Sequence, residues 1–237
     1  MTIIIIEGFQ FIREALVLAF ERLFPGAAVQ GASTGAEGVR FCQAIEPDVV
    51  LLNLALPDGN GFDFVEKLKG VAPSSRIVAV AACAREYTVS RVLRANIHGF
   101  IDQAEQPLSV LEEAVWKVMA GGRYFSPSVV RLHNLTKRDP GYFAKVLSDH
   151  EQELLALFGE GLTNQEIAWR TQLACGTVRN HRCNIMNKLG IHSTLELIRF
   201  AMRKGFAQPP GPWPPGLVVA HEPERYLPAY RVSAAGK

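Results

Sequence analysis

Apolar positions in the first half of the chain fall into two alternating patterns. Ile3 to Ile6 form a short continuous run. In the FIREALVLAFERLF that follows, Ile12, Leu16, Ala19, Phe20 and Leu23 recur at helical spacing. The alternation continues through AAVQ and TGAEGVRFCQA, DVVLLN and FDFVEKLK, RIVAVAA and EYTVSRVLRA, and GFI and LSVLEEAVWKVMA. A continuous run such as DVVLLN suits a strand buried on both faces, and the turn-rich LPDGNG sets it off from its helix. Five strand-plus-helix units predict an α/β fold: a doubly wound five-stranded parallel sheet with its functional site at the carboxyl ends of the strands.

The pattern changes after residue 120. Residues 121–146 have no sustained period and are punctuated by Gly and Pro, which predicts a linker. From Leu147 the periodicity is purely helical. Ser148 with Glu151, Thr163 with Glu166 and Ser193 with Glu196 each set a hydroxyl three residues before a carboxylate at the head of an amphipathic stretch. At that spacing the hydroxyl accepts from the third residue's N–H while the carboxylate reaches back, so each pair predicts a helix start. An all-α four-helix domain is expected. After Phe206 come seven prolines, predicting an extended or disordered tail from which Trp213, Tyr226 and Tyr230 could dock elsewhere. The predicted boundaries are 1–122, 123–146, 147–206 and 207–237.

Net charge is only +2, so the total says little about partners. Its distribution says more. Residues 1–120 carry 14 acids against 10 bases, whereas 121–146 carry five bases and one acid. No acid lies between Glu166 and Glu196, a window that holds Arg170, Arg179, Arg182 and Lys188. An acid-free basic stretch is what a phosphate backbone attracts, although a solvated helix face would read the same way. Cys42, Cys83, Cys175 and Cys183 are scattered without CxxC or zinc-like His spacing, as expected of thiols in a reducing compartment. The isoleucine run is too short to span a bilayer and lacks a basic leader, so a cytoplasmic protein without membrane association is expected.

Residues 147–206 resemble the LuxR/FixJ-type helix-turn-helix along their whole length. The resemblance rests on Leu147, Glu151, Gly161-Leu162, Asn164, Glu166-Ile167-Ala168, Thr177-Val178, Asn180-His181, Ile185-Met186 and Lys188-Leu189-Gly190. Independently, Gly161 suits a left-handed helix stop, and Val178, Ile185 and Leu189 make a core-facing stripe on a helix expected over 177–189. Arg179, Asn180 and Cys183 then fall on the opposite side, which would enter a major groove, and Thr177 is taken with them as a candidate DNA contact. The resemblance implies DNA contacts at Arg179, Asn180 and Lys188, with Arg179 suited to a guanine and Lys188 to a phosphate. Two departures stand out. Ala174 replaces the usual cap of the recognition helix, and Arg182 takes a position commonly apolar, where it either snorkels outward or adds a phosphate contact. His181 suits packing or capping.

Residues 1–122 resemble the receiver domain of two-component response regulators, on EGFQFIREAL after the first strand and PDVVLLNLALPDGNGFDFVEKLK around the third. The family's chemistry needs an acidic pair for magnesium, an aspartyl nucleophile, a hydroxyl and a lysine. The corresponding positions here are Glu7-Gly8, Asn53, Ala81 and Gln103; Phe100 keeps the aromatic switch position without its hydroxyl partner. Asp48, Asp58 and Asp102 lie nearby, but Asp48 precedes the strand and Asp58 follows Pro57 in the loop, so neither stands at the strand end. The resemblance thus implies an orphan regulator with a phosphorylation-dead pseudo-receiver, needing no cofactor or metal.

The expected function is sequence-specific transcription regulation independent of phosphorylation, acting on double-stranded DNA as a homodimer. LELIRFAM (195–202) is the candidate self-association helix, and the input comes through dimerisation, a ligand or a regulatory protein partner. The alternative is a protein-interaction adapter with weak or gated DNA binding. No nucleophile–base pair, metal cluster or phosphate-cradling loop points to an enzyme.

Overall fold

A computed structural model of the chain describes residues 1–207. The predicted tail, with Trp213, Tyr226 and Tyr230, lies outside the described residues. The first part of the chain runs β1 (Thr2–Ile6), α1 (Gln10–Leu23), β2 (Ala28–Ala32), α2 (Gly35–Ile45), β3 (Val49–Asn53), a small hairpin β4 (Ala55–Leu56) and β5 (Gly59–Asn60), and α3 (Gly61–Val71). It continues with β6 (Arg76–Ala81), α4 (Glu86–Arg94), β7 (Gly99–Asp102) and α5 (Val110–Met119). Then come β8 (Tyr124–Phe125), α6 (Pro127–Arg138) and α7 (Phe143–Val146), followed by α8 (Asp149–Gly159), α9 (Asn164–Thr171), α10 (Cys175–Leu189) and α11 (Thr194–Lys204).

The main sheet is parallel throughout, in the order β2-β1-β3-β6-β7-β8. Strand alternation divides its side chains between two cores. Ile4, Ile6, Val50 and Leu52 pack under α2, α3 and α4, whereas Ile3, Ile5, Val49 and Leu51 pack under α1 and α5. Every residue of β3 is buried, as its unbroken apolar run predicts.

The sheet has six strands, not five. The extra strand, β8, is two residues long, pairs Tyr124 and Phe125 with Gly99 and Phe100 on β7, and is too short to carry a sequence period. Residues 123–146 are therefore not an irregular linker. Ser126 precedes Pro127 at the head of α6, and Val129 anchors that helix in the sheet-side core. The hydroxyls of Ser126 and Ser128 hold Asp102. Ser126 Oγ accepts the Asp102 N–H at 2.9 Å, and the Ser128 hydroxyl donates to the Asp102 carboxylate at 2.8 Å. Hydrogen bonding and packing, invisible to a periodicity count, order this segment.

The last four helices close around Leu154, Leu155, Phe158, Ile167, Val178, Ile185, Leu197 and Ala201. Capping boxes open α8 and α9, and Gly161, at φ +81°, takes the left-handed turn between them. At α11, Ser193 accepts the Glu196 N–H, but the Glu196 carboxylate takes the N–H of His192, one residue upstream of a full box. Tyr87, on α4, belongs to this core too. Its ring stacks on Phe206 at 4.1 Å, and Phe143 meets Phe206 edge-on at 4.7 Å. Glu86 pairs with Lys204 at 2.7 Å, the Arg85 guanidinium donates to the Met202 carbonyl at 2.8 Å, and Arg94 pairs with Asp149. The sheet domain and the helical domain thus share a packed seam.

Candidate functional site

The order of the sheet reverses between β1 and β3, so the functional crevice of such a fold opens at their carboxyl ends. Glu7 follows β1 and Asn53 ends β3. Both are buried, and they bond each other: the Asn53 amide donates to one Glu7 carboxylate oxygen. The other Glu7 oxygen accepts the Phe9 N–H at 2.8 Å, and Asn53 Oδ1 accepts the Ala55 N–H at 2.9 Å. Arg13 closes the loop from outside by donating to the carbonyls of Glu7 and Gly8. A Cβ at Gly8 would stand 2.8 Å from the Pro57 ring, so this backbone has no room for a second side chain there without a shift.

Ala81 and Gln103 sit at the ends of β6 and in the loop after β7, joined by the Gln103 N–H to the Ala81 carbonyl at 3.0 Å. The Gln103 side chain is exposed, and Phe100 is buried in the core. Nearby, Asp58 accepts the N–H groups of Gly35 and Ala36, both at 2.9 Å, at the head of α2. Asp48 accepts the Thr2 N–H at 2.7 Å. Among the described residues no group of three His, Cys, Asp or Glu side chains could hold a metal ion.

The second candidate surface is α10. It begins at Cys175, two residues before the predicted start, from an N-cap Ala174 that offers no side-chain bond. Val178 and Ile185 are fully buried against α8 and α9, and Leu189 is half-buried, as the stripe requires. The helix therefore turns Thr177, Arg179, Asn180 and Cys183 to solvent. Among the described residues none of these four side chains has a hydrogen-bond or ion-pair partner. Exposed, unpaired donors on one helix face are suited to base edges and phosphates.

Two basic candidates are placed elsewhere. Arg182 folds back: its guanidinium lies 4.5 Å over the Phe158 ring and reaches the Leu162 carbonyl, and burial lowers its pKa. Lys188 pairs with both carboxylate oxygens of Glu151 at 2.8 Å. Burial pushes the Glu151 carboxyl up, but bonds from Lys188 and Ser148 bring it below its ordinary value. His181 packs edge-on to His150, a packing role as its sequence context suggests.

The sequence gives no signal for two further features. Trp169, on α9, is 86% exposed. Tyr87 lies in a segment that reads only as an amphipathic helix, and its partners Phe143 and Phe206 are more than 50 residues away.

Two family signatures match the chain. The one described as "Response regulator receiver domain" covers residues 3–114, and "Bacterial regulatory proteins, luxR family" covers 145–201. A putative transcriptional regulator of Pseudomonas aeruginosa is 31% identical over 203 residues, covering 85% of this chain and 97% of that protein. The transcriptional regulatory protein DesR of Bacillus subtilis is 29% identical over 174 residues, covering 73% and 82%. Among solved structures, RcsB from Salmonella enterica serovar Typhimurium bound to promoter rprA superposes with a TM-score of 0.64. It is 22% identical and covers 84% of this chain and 97% of that one. Among the described residues no helix is long and apolar enough to cross a membrane.

Proposed function

The chain belongs to the LuxR family of response regulators and is a DNA-binding transcription regulator of that type, and we propose that it works without phosphorylation of its receiver domain. The observation that carries this is the buried bond between Asn53 and Glu7. Where phosphoryl transfer needs a carboxylate nucleophile, the β3 terminus offers a neutral amide, already bonded on both its nitrogen and its oxygen. Magnesium does not fit the donor set. Glu7 is a single carboxylate whose oxygens are both engaged, Gly8 supplies no second one, and a hard cation wants several oxygen ligands. Ala81 and Gln103 add neither a hydroxyl nor a cation for a transferred phosphoryl group.

DNA contact falls to the exposed face of α10, with Arg179 and Asn180 reading base edges and Thr177 and Cys183 lining the approach. Lys188 serves the fold through Glu151. RcsB is described on promoter DNA in a phosphomimetic state, and for this chain we assign the same target without that state. Self-association uses α11, where Leu197 and Ala201 face the core while Leu195 and Met202 remain exposed. We take 1–122 as a pseudo-receiver, 123–146 as a connector folded partly onto its sheet, and 147–206 as a DNA-binding domain.

The test is a fluorescence-anisotropy titration of the full-length chain on DNA fragments selected by it, at several salt concentrations, with and without acetyl phosphate and magnesium. Affinity should fall steeply with salt and ignore the phosphodonor. Phosphorylation of the wild type on any Asp by intact-mass spectrometry overturns the reading, and a chain that binds no DNA is an adapter.

A further inference from the structure

An open cleft of about 420 Å³ lies along the seam between the domains, with no part in the proposed function. Its walls are α4 of the receiver, α6, and the Tyr142–Lys145 stretch that leads into the DNA-binding domain. Val89, Leu93, Tyr142 and Ala144 supply apolar surface. Around them stand Arg94, His133, Lys137 and Lys145, and no Asp or Glu lines the cleft.

The arginine and the lysines differ in what already holds them. Arg94 pairs with Asp149, and the Lys145 ammonium donates to the carbonyls of Lys137 and Asp139 at 2.9 and 2.7 Å. An ammonium has three protons, so Lys145 keeps one donor. Among the described residues the Lys137 ammonium has no acceptor.

A volume of this size lies within the ~300–1,000 Å³ range of small-molecule sites, which combine apolar walls with a few convergent polar groups. Walls of one charge sign around a low-dielectric cleft concentrate ions of the opposite sign. We propose that this cleft binds a small amphipathic organic anion. Its apolar body lies on Val89, Leu93 and Tyr142, and its carboxylate or sulfonate faces Lys137 and Lys145. Inorganic phosphate would leave the apolar walls unused. All three walls meet at the seam between the two domains, and Phe143, next to Tyr142, packs against both Tyr87 and Phe206. A bound anion therefore stabilises one arrangement of receiver and DNA-binding domain. That consequence, an input in place of phosphate, rests on the phosphorylation-independent reading; the binding does not.

The test uses the full-length chain and 8-anilinonaphthalene-1-sulfonate, an aromatic anion whose fluorescence reports entry into apolar clefts. Saturable one-to-one binding is expected, weakened about fivefold or more by Lys137→Glu on the exposed rim. Leu93→Asp should weaken it at least as much. Arg22→Glu, the same charge change on α1, should have no effect. Octanoate should displace the probe and 1-octanol should not. If the probe does not saturate, binds wild type and Lys137→Glu alike, or yields equally to octanol, the proposal is wrong. Lys137 is exposed, so that variant keeps the test decisive should Leu93→Asp fail to fold. DNA binding measured on the same samples separates the two conclusions: a failed probe titration with intact DNA binding removes the cleft alone.

Discussion

At the carboxyl end of the sheet, Glu7 and Asn53 are buried and satisfy each other; on α10, Arg179 and Asn180 stand in solvent with no partner among the described residues. Both places hold polar side chains at positions a resemblance marks as functional. The first has turned its hydrogen bonds inward, so a ligand there must compete with contacts the protein already makes. The second keeps its donors available, at little cost because water solvates them until a partner arrives. The contrast extends to Lys188 and Arg182, which share α10 with Arg179 but are engaged within the domain, the exposed Lys188 by Glu151 and Arg182 by Phe158. Which basic residues of α10 are free to meet a ligand thus depends on the partners the fold gives them.

Reopening the closed site should have the largest effect. Asn53→Asp replaces an amide donor with a second carboxylate facing Glu7, and two like charges in a buried site should cost about 2–4 kcal/mol at neutral pH. Part of that loss should return on acidification, because one carboxyl of the pair then takes up a proton. Thermal melts across pH measure both effects. The variant should still incorporate little phosphate from acetyl phosphate with magnesium, since Gly8, Ala81 and Gln103 are unchanged; near-stoichiometric labelling in intact-mass spectra would refute this.

On the open face, Arg179→Ala should weaken DNA binding by about 1–3 kcal/mol and relax preference at one base position, leaving the melting temperature alone. Unchanged affinity and sequence preference in an anisotropy titration removes Arg179 from the interface. Lys188→Ala should do the reverse. Its ion pair is partly exposed, so a stability loss of at most about 1 kcal/mol by chemical denaturation is expected, with the salt dependence of DNA binding intact. A salt slope reduced by about one would mean that Lys188 leaves Glu151 for a phosphate in the complex.

The smallest expected effect is the pH dependence of Glu151. Its folded carboxyl titrates below the ordinary value of 4.5, so its contribution to stability is fully present above that pH. The contribution is lost as pH falls through the lowered folded value, when the carboxylate bonds to Ser148 and Lys188 give way. Glu151→Gln should flatten the stability curve in that acid range and leave its neutral limb parallel to the wild type. A curve of unchanged shape would show that the carboxylate does not act through its charge.

Much of this was legible in residue order alone. Alternating apolar runs located the five longer strands and their helices, because a strand buried on both faces must be continuously apolar and an amphipathic helix must repeat every turn. The serine and threonine boxes placed α8 and α9, since a cap acts over three residues. The exposed set Arg179, Asn180 and Cys183 followed from helical geometry once Val178 and Ile185 were taken as core. The same reasoning stopped short at Arg182 and Lys188, whose partners lie 20 or more residues away in Leu162 and Glu151.

What the chain determined by itself is local: period, capping, and which residue types stand at the strand ends, including the Asn that ends β3. Contacts between distant segments decided the rest. They seal Asn53 against Glu7, 46 residues apart, order 123–146 through Asp102 with Ser126 and Ser128, and carry Tyr87 into the DNA-binding core. The physical reason is range. Periodicity records which face a residue turns to its neighbours along the chain, whereas hydrogen bonds and aromatic stacking form between whichever groups folding brings within a few ångströms.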